Sequence, residues 1–288
     1  MIELLDILRR EIRLQGPITL ARYMDLSLNH PHLGYYSKQD PLGRAGDFTT
    51  APEISQMFGE LIGLWACVVW QQIGQPNPIN LVELGPGRGT LMADMLRAAS
   101  IAPSFREAIA VHLVETSPAL RAVQTEALAS YKPRWHDNDT TLPAGPLIIV
   151  ANEFFDALPV DQAIWRQPAW RHRLVTVTHG TLSFVDGPAL TQAELAAWQI
   201  SNVQTEMTEG DIAEYCPAAD PIIQQIAGRI ACHGGACLVI DYGKNDNFSD
   251  SLQAVAAHKP VDLFYQPGNA DISHWVDFAA LRRAAVSA

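Results

Sequence analysis

The middle of the chain alternates short apolar runs with stretches of helical periodicity. Apolar runs of five or six residues between helices are typical of buried parallel strands. The predicted strands are Asn80–Leu84, Val111–Glu115, a short one ending at Trp135–Asp137, Leu147–Ala151 and Ala236–Asp241, and the predicted helices are Thr90–Ala99, Ala119–Leu128 and Ile222–Ile230. The alternation predicts an α/β fold with one open parallel sheet covered on both faces.

Between residues 160 and 220 this alternation breaks. Three runs there alternate like antiparallel strands, namely Ala163–Trp165, Arg173–Val177 and Thr181–Val185, and His179-Gly180 suits a tight turn between the last two. The sheet pattern resumes at Ala236. We therefore interpret about 160–220 as a β insertion after the fourth strand, within one domain that spans residues 76–288.

Residues 1–75 are predicted to form a helical region with one unusual loop. The stretch GRAGDFTTAPEISQMFGE (43–60) precedes apolar positions at helical spacing from Ile54 to Ile73. Thr50 and Glu53 have the spacing of a capping box, which gives Glu53 a structural role. Capping does not explain the glycines and Asp47, so whether this loop also closes over a ligand stays open at this point.

Charge and composition narrow the class of partner. The chain has 288 residues, 48% of them hydrophobic, and 20 basic against 31 acidic side chains give a net charge of −11. This balance disfavours nucleic acid and mildly favours a basic partner.

No apolar stretch reaches the roughly 20 residues of a membrane span. Met1–Arg13 is amphipathic and contains acidic residues, unlike a signal or transit peptide, so we expect a cytoplasmic protein.

A metal site is not predicted. The four cysteines show no CxxC spacing, and the nine histidines include no HExxH motif. Zinc sites usually show such ligand spacing in the sequence.

The strongest chemical signal is the segment LVELGPGRGT (81–90), where a predicted strand runs into three glycines. Gly85, Gly87 and Gly89 let the backbone turn tightly and let a ligand approach its amides. The spacing is GxGxG and not the GxGxxG of dinucleotide sites, and Thr90 is placed to cap the next helix. With Glu83 ahead of the first glycine, this pattern is typical of S-adenosylmethionine loops. Alternatively, Glu83 orients the loop amides, and the two roles are compatible.

Two further carboxylates follow the next strands. Glu115 ends the second strand, where a carboxylate can bind both ribose hydroxyls; the alternative is an exposed strand-end glutamate. Asp137 is placed to accept a hydrogen bond from the adenine amino group, although Asn138 or Asp139 would serve as well.

The fourth strand ends in ANEFFDALP (151–159), beside the predicted methyl donor. Asn152, Glu153 and Asp156 are candidates for orienting an amine or guanidinium, with Phe154 and Phe155 around its aliphatic stem. The alternative is a polar loop that caps a turn. In either case we expect one phenylalanine to lie in the core.

These segments together resemble the MidA-like methyltransferase family, which is related to a mitochondrial complex I assembly methyltransferase. The matching motifs are PITLARYMDLSLNHPHLGYY, GRAGDFTTAPEISQMFGE, LVELGPGRGTLMADML, VHLVETSP, ANEFFDALPV, GGACLVIDYG, DSLQAVAAHKPVD and GNADISHWVDF. The resemblance implies a class I S-adenosylmethionine-dependent methyltransferase fold (Rossmann-like). It also implies a bacterial enzyme that methylates an arginine of a respiratory NADH dehydrogenase (complex I) subunit during assembly.

The resemblance also places Asp47 and Thr49 in a loop that folds over the cofactor. Two departures from the family stand out. Leu33 occupies a position where the family often has histidine, and the chain stops at Ala288, before the segment expected to supply the last strands of the sheet.

Two other functions stay open. One is a scaffold that binds S-adenosylmethionine without catalysis, and the other is a nicotinamide-dependent oxidoreductase, which the missing GxGxxG disfavours. The expected partner is a protein with a target arginine, without nucleic acid or membrane insertion. The oligomeric state is left open, with a homodimer as one arrangement.

Overall fold

The computed structural model describes residues 3–37, 51–200 and 207–288. The helices within these residues are α1 (Leu4–Gln15), α2 (Leu20–Asn29), α3 (Ala51–Ile54), α4 (Gln56–Gln72), α5 (Thr90–Ala98), α6 (Pro103–Ala108), α7 (Pro118–Ala127), α8 (Gln192–Ala197), α9 (Ala219–His233) and α10 (Phe278–Val286). The strands are β1 (Ile79–Leu84), β2 (Ile109–Val114), β3 (Arg134–His136), β4 (Leu147–Asn152), β5 (Asp161–Arg166), β6 (Ala169–Thr178), β7 (Thr181–Ala189), β8 (Ile212–Tyr215), β9 (Gly235–Ile240), β10 (Gly243–Lys244), β11 (Gln253–Ala256), β12 (Lys259–Val261), β13 (Asp271–Ser273) and β14 (Val276–Asp277).

Five of these strands form one parallel sheet in the order β3-β2-β1-β4-β9. All six residues of β1 are buried, because a central parallel strand is covered on both faces. This explains why the strand is mostly apolar in the sequence, with Asn80 and Glu83 as buried polar exceptions. The predicted α/β class and the predicted parallel strands are confirmed.

The chain divides into two compact units, each built from three segments. The parallel-sheet unit comprises Gln39–Phe155, Asp220–Tyr242 and Leu281–Ala288, and the antiparallel-sheet unit comprises Met1–Lys38, Asp156–Ala219 and Gly243–Ala280. These boundaries differ from the predicted division into 1–75 and 76–288, since α1 and α2 cluster with the strands that follow residue 155.

The antiparallel-sheet unit contains the predicted β insertion. Its four-stranded sheet has the order β7-β6-β5-β8, and the turn His179-Gly180 between β6 and β7 has φ angles of 51° and 84°. Positive φ at both central residues is the geometry that a right-twisted two-residue hairpin requires. The predicted hairpin is confirmed, and β8 is an additional strand that the sequence pattern did not predict.

The N-terminal helices pack in this same unit. Leu8 of α1 and Leu20 of α2 are fully buried in a core with Val175 of β6. Ile18, between the two helices, exchanges backbone hydrogen bonds of 2.9 and 2.8 Å with Val175. The amphipathic pattern at the start of the chain therefore reflects packing on the insertion strands.

The helix predicted to run unbroken from Ile54 to Ile73 is interrupted. Ser55 has extended backbone angles, φ −142° and ψ 112°, so α3 ends at Ile54 and α4 begins at Gln56. The prediction of one continuous helix is wrong at this position, because helical periodicity in the side chains does not report a single extended residue.

Two glycines of α4 bring this helix unusually close to α5. A Cβ atom on Gly63 would lie 2.6 Å from the Met95 carbonyl oxygen and 2.8 Å from the Met95 Cα. A Cβ atom on Gly59 would lie 2.5 Å from the Asp94 Cβ. Side chains at these positions would force the two helices apart. The helix that follows the glycine loop is therefore held by a backbone-to-backbone contact.

We expect Gly63→Ala to destabilise the protein by about 1–3 kcal/mol, because the added methyl group overpacks the contact with Met95. Gly228→Ala in α9 is the matched control. Apart from the helix's own backbone, no atom of the described residues lies within 4 Å of the position that a Cβ would take there. Removing a helical glycine at this point should therefore stabilise the protein by about 0.5–1 kcal/mol. Urea unfolding of both variants measures the difference. A Gly63→Ala protein as stable as Gly228→Ala would contradict the close approach of α4 and α5.

Candidate functional site

The polar residues singled out in the parallel-sheet unit follow neighbouring parallel strands. Leu84 pairs with Val114 and with Ala151, and Val114 pairs with His136. The residues just beyond these four strand ends therefore lie along one edge of the sheet. Ligands of open parallel sheets bind at this carboxyl edge. The structure thus brings together the glycine loop, Glu115, Asp137 and the end of β4.

The backbone of the glycine loop has a conformation that is unfavourable for residues with a side chain. Gly85 and Gly87 have φ angles of 61° and 53°, in the left-handed region that favours glycine. A Cβ atom on Gly85 would lie 3.0 Å from the Phe154 ring, so the loop passes directly over that aromatic side chain. The Gly85 N–H donates to the Val114 carbonyl oxygen at 3.0 Å. The predicted tight turn after β1 is confirmed.

Thr90 does not cap α5, in contrast to the prediction. Gly89 is the N-cap residue, with φ 82°, and Thr90 is the first residue of the helix. The Thr90 hydroxyl donates to the Glu53 Oε1 atom at 2.5 Å. Glu53 thus joins α3 to the start of α5. Thr50, its predicted capping partner, lies outside the described residues, and so do Asp47 and Thr49 of the predicted covering loop.

Glu83 is a buried carboxyl group directly ahead of the glycine loop. Only 3% of the residue is exposed, and burial raises its pKa to about 8, partly opposed by a hydrogen bond from the Met92 backbone. This hydrogen bond to α5 fits the role of orienting backbone amides. Its Oε2 atom is buried and has no hydrogen-bond partner among the described residues. A contact between Glu83 and a ligand stays a prediction.

The raised pKa of Glu83 predicts a pH-dependent stability. The folded protein keeps a proton that the unfolded chain releases above its ordinary pKa of about 4.3, so the free energy of unfolding should fall as pH rises from about 4.3 to 8. Glu83→Gln retains an acceptor for Met92 and stays uncharged, so this contribution should disappear. Urea midpoints at pH 5, 6.5 and 8 test it, with the exposed Glu126→Gln as control. A stability difference between wild type and Glu83→Gln that does not change with pH would show ordinary ionisation of Glu83.

Glu115 lies directly after β2 and is almost fully buried. Its Oε1 accepts from the Ser117 N–H at 2.8 Å, and its Oε2 accepts from the Gln124 Nε2 at 3.2 Å. Burial raises the pKa of Glu115, and these hydrogen bonds oppose the rise. The carboxylate is therefore held in one orientation at the sheet edge. The alternative of an exposed strand-end glutamate is wrong.

Gln124 of α7 is a site residue that the sequence pattern does not indicate. Besides Glu115, its Nε2 donates to the Gly87 carbonyl oxygen at 2.7 Å, and its Oε1 accepts from the Trp135 Nε1 at 2.8 Å. The side chain is fully buried. It therefore connects the glycine loop, the carboxylate after β2 and strand β3. A glutamine on a helix usually indicates a solvated position, so the sequence contained no signal for this role.

Asp137 follows β3 and differs from Glu115 in its exposure. Its side chain is 80% exposed and forms an ion pair with the Arg121 Nη2 at 2.6 Å. Arg121 also donates to the Glu115 carbonyl oxygen. Of the two alternatives to Asp137, Asn138 accepts from the Thr140 N–H, and Asp139 is buried. Asp137 is the accessible acidic group of the three, and its contact with adenine stays a prediction.

The end of β4 holds the candidate acceptor residues Asn152 and Glu153. Glu153 has a φ of 48°, a left-handed conformation that is uncommon without glycine and that often occurs at functional sites. Its carboxylate accepts from the Ala51 N–H and from the Asn152 side chain, while burial raises its pKa. The Asn152 Oδ1 atom is buried and lacks a hydrogen-bond partner among the described residues. It is therefore an acceptor that a bound group can use.

Asp156 belongs to the antiparallel-sheet unit and is 9% exposed. Its carbonyl oxygen accepts from the His274 N–H at 3.0 Å. The two phenylalanines ahead of it differ in position. Phe155 is 1% exposed and lies in the core, and Phe154 packs edge-on against it at 5.2 Å between ring centroids. The expectation that one of the two is a core residue is confirmed.

The donor and acceptor groups at this sheet edge fit S-adenosylmethionine. The glycine loop has no side chains at its left-handed turns. Three acceptor groups lie at the same sheet edge: the Glu115 and Asp137 carboxylates, and the Asn152 Oδ1, which has no hydrogen-bond partner among the described residues. A ligand with ribose hydroxyls, an adenine amino group and a positive charge supplies the matching donors.

Within residues 3–37, 51–200 and 207–288, no group of three or more His, Cys, Asp or Glu side chains could hold a metal ion. In the same ranges no helix is both long and apolar enough to cross a bilayer.

Comparison with known proteins agrees with this fit. A family profile of S-adenosyl-L-methionine-dependent methyltransferases matches residues 61–288. The protein arginine methyltransferase NDUFAF7 of Danio rerio is 38% identical over 94% of this chain and 69% of its own length. The NDUFAF7 of Homo sapiens is 38% identical over 96% of this chain and 67% of its own length.

A solved structure has the same fold. The crystal structure of a Burkholderia thailandensis protein bound to S-adenosyl-homocysteine matches 99% of this chain and 76% of its own, with a TM-score of 0.84 and 28% identity. The class I methyltransferase fold and the resemblance to the MidA-like proteins are thereby confirmed. The chain belongs to this family of S-adenosyl-L-methionine-dependent methyltransferases, and S-adenosyl-L-methionine is its cofactor.

Proposed function

We propose that this enzyme methylates an arginine side chain in a subunit of the respiratory NADH dehydrogenase during assembly of that complex. The observation that carries the arginine acceptor is the 38% identity, over 94–96% of the chain, to relatives named protein arginine methyltransferases. The polar end of β4 supports it, because the residues there are acceptors suited to a cationic group.

The proposal assigns the cofactor to the carboxyl edge of the parallel sheet. The loop of Gly85, Gly87 and Gly89, with Glu83 ahead of it, receives the amino-acid part of the ligand. Glu115 accepts from the ribose hydroxyls, and its fixed carboxylate needs no reorganisation for this. Asp137 accepts from the adenine amino group. Asp47 and Thr49 cover the bound ligand, as the family resemblance implies.

Glu153 is the proposed base. The cofactor's sulfonium supplies an electrophilic methyl group for in-line displacement by a nitrogen of the acceptor. A guanidinium has a pKa above about 12, so one of its nitrogens must lose a proton during or after the attack. A carboxylate that accepts this proton also concentrates the guanidinium charge away from the attacking nitrogen. Burial raises the pKa of Glu153, which makes it a stronger proton acceptor than an exposed glutamate.

Asn152 and Asp156 complete the proposed acceptor residues. The unpaired Asn152 Oδ1 accepts a guanidinium N–H and fixes its approach. Holding the two reactants in line in this way can supply roughly 7–11 kcal/mol of the barrier. Asp156, three residues along the chain from Glu153, provides a second carboxylate. The net charge of −11 favours a basic substrate segment, and binding should weaken with salt.

The test compares NADH dehydrogenase from cells with and without the gene. Mass spectrometry of its subunits should find an arginine that is methylated only when the gene is present. The purified enzyme should then transfer label from S-adenosylmethionine to the unmethylated complex. If arginine methylation is identical in the two preparations, the proposed substrate is wrong. The cytoplasmic location and the homodimer stay predictions from the sequence.

A further inference from the structure

Two histidines on strands β2 and β3 of the parallel-sheet unit form a pair that the proposed function does not use. His112 of β2 is 1% exposed, and its ring Nδ1 lies 2.9 Å from the ring Nε2 of His136, the last residue of β3. The Nδ1 of His136 lies 3.0 Å from the Thr141 Oγ1, and the Thr141 hydroxyl donates to the Asn138 carbonyl oxygen at 3.1 Å. These four residues therefore form one chain of hydrogen bonds.

The order of donors along this chain determines both ring tautomers. Because the Thr141 hydroxyl proton points to Asn138, the Thr141 oxygen accepts from the Nδ1–H of His136. A neutral His136 then has an unprotonated Nε2, which accepts from the Nδ1–H of His112. The Nε2 of His112 is in turn unprotonated, and it is buried without a hydrogen-bond partner among the described residues. Each ring therefore has its proton on Nδ1.

The pair stays neutral near neutral pH. The contact between the rings already contains its one proton, so the free basic nitrogen of the pair is the His112 Nε2. A proton there would create a buried charge whose N–H meets no acceptor in the described part of the chain. Burial, followed by the charges of His136 and Arg134, accordingly lowers the pKa of His112 to about 4. Burial also lowers the pKa of His136, and a hydrogen bond to the Thr141 backbone opposes this.

The pair holds one face of a short edge strand. β3 has three residues, lies at the end of the sheet order and pairs with β2 alone. Neighbouring side chains of a strand point to opposite faces of the sheet. On one face the Trp135 Nε1 donates to the Gln124 Oε1 at 2.8 Å, and on the other His136 accepts from His112. The end of β3 is therefore fixed from both faces.

The strand end that the pair fixes lies beside the proposed adenosine contacts. The His136 carbonyl oxygen accepts from the Glu115 N–H at 3.0 Å, and Asp137 follows His136 directly. The carboxylates of Glu115 and Asp137 are those proposed to accept from the ribose hydroxyls and the adenine amino group. A shift of His136 would therefore move the backbone of Asp137 and remove a hydrogen bond that holds Glu115.

We propose that His112 and His136 are positioning residues for the cofactor, because as a neutral pair with both ring protons on Nδ1 they hold the end of β3 where Glu115 and Asp137 bind the adenosine moiety. This role rests on the proposed assignment of the adenosine to these two carboxylates, and it does not depend on the identity of the methyl acceptor. A pair that served only the stability of the sheet would leave the cofactor affinity of the folded protein unchanged. The positioning role requires this affinity to fall when the bond between the rings is lost.

The first experiment observes the two rings in the wild-type protein and needs neither cofactor nor substrate. In a ¹⁵N-labelled full chain near neutral pH, two-bond ¹H–¹⁵N correlation spectra report which ring nitrogens of each histidine are protonated. We expect two rings with the proton on Nδ1, assigned by their loss in His112→Phe and in His136→Phe. A His112 ring with its proton on Nε2, or with both nitrogens protonated, would overturn the proposal.

The second experiment separates positioning from stability with two substitutions of one residue. His112→Phe keeps the ring and removes the donor to His136. His112→Asn keeps a donor close to the position of Nδ1 and leaves a cavity in place of the rest of the ring. We expect the S-adenosylmethionine Kd, measured by calorimetry, to rise about 5- to 30-fold in His112→Phe, because the His136 Nε2 is left without its donor. The Kd of His112→Asn should stay within about twofold of wild type, although the cavity lowers its melting temperature.

Asn80→Ala is the matched control in the same sheet. Asn80 is also a buried polar residue, and its Nδ2 donates to the Pro146 carbonyl oxygen at 3.1 Å, at the amino end of β1 and thus opposite the proposed site. This variant should lose stability and keep its Kd. A normal Kd in folded His112→Phe, or an equal rise in Asn80→Ala, would overturn the positioning role.

The adenosine assignment is tested in the same titrations. Glu115→Ala and Asp137→Ala should each weaken S-adenosylmethionine binding. If they do and His112→Phe binds normally, the positioning role alone is wrong. Normal binding by both alanine variants would overturn the assignment and the positioning role with it. A failure to find any methylated arginine in NADH dehydrogenase would affect the proposed acceptor and leave these titrations valid.

Discussion

Glu153→Gln is expected to bind S-adenosylmethionine with normal affinity and to lose about 10²- to 10⁴-fold in methyl transfer, the usual contribution of a positioned base. The substitution retains a carbonyl oxygen that can accept from the Ala51 N–H, so the start of α3 should stay in place. It removes the negative charge that the proposal needs for the acceptor guanidinium. Calorimetric titration measures the first quantity, and transfer of labelled methyl groups to unmethylated NADH dehydrogenase measures the second.

Glu194→Gln is the matched control for that experiment. Glu194 also bonds a backbone N–H at the start of a helix, since its Oε2 accepts from the Thr191 N–H at 2.7 Å. It belongs to the antiparallel-sheet unit and has no proposed part in the reaction. Both variants should therefore have small, similar effects on stability, and only Glu153→Gln should lose activity. Normal methylation by Glu153→Gln would exclude Glu153 as the base.

Gly87→Val is expected to weaken S-adenosylmethionine binding at least about 100-fold, a loss of about 2.8 kcal/mol. In the proposed site the ligand approaches the backbone of this loop directly, so the valine side chain would project into the ligand's volume. Because Gly87 has a φ of 53°, valine also strains the backbone, at a cost of order 1–3 kcal/mol in stability. Loss of binding therefore has to be separated from loss of folding.

The variant Gly180→Val is the control that distinguishes loss of cofactor binding from loss of folding. Gly180 has a φ of 84°, and no atom beyond its chain neighbours in the described part of the chain lies within 4 Å of a Cβ built there. The substitution therefore imposes a similar backbone strain in the turn between β6 and β7. It should lower the melting temperature like Gly87→Val and leave the S-adenosylmethionine Kd unchanged. Calorimetry at a temperature where both variants are folded gives the comparison. A normal Kd in Gly87→Val would place the cofactor away from this loop.

The parallel sheet could be predicted from the sequence because its strands are buried on both faces. Leu147–Ala151 is a continuous apolar run and Asn80–Leu84 is mostly apolar, and the structure extends each strand by one residue. The short strands β8 and β11–β13 have no such signal, since they are three or four residues long and their burial depends on distant partners. The unit boundaries could not be predicted from the sequence, because the packing of α1 and α2 on β6 joins residues far apart in the chain.

The site could be predicted only where a strand end marks it. Glu115 and Glu153 were identified because carboxylates after parallel strands share one edge. Gln124 was missed as a functional candidate, because its importance lies in a hydrogen bond to Gly87 that no spacing in the sequence reports. Thr90 has the residue type and position of a helix cap, yet its hydroxyl bonds Glu53 instead.

The division of the antiparallel-sheet unit into three segments affects how this unit folds while the ribosome synthesises the chain. Its first segment ends at Lys38 and its last ends at Ala280. At 5–20 residues per second, α1 and α2 wait roughly 10–50 s after their synthesis for the final strands of their unit. During this interval the apolar faces that later meet Val175 and Ile272 are exposed on the nascent chain. We therefore expect this unit to determine how much chaperone assistance the chain needs during translation. Slower elongation should lower the yield of soluble protein.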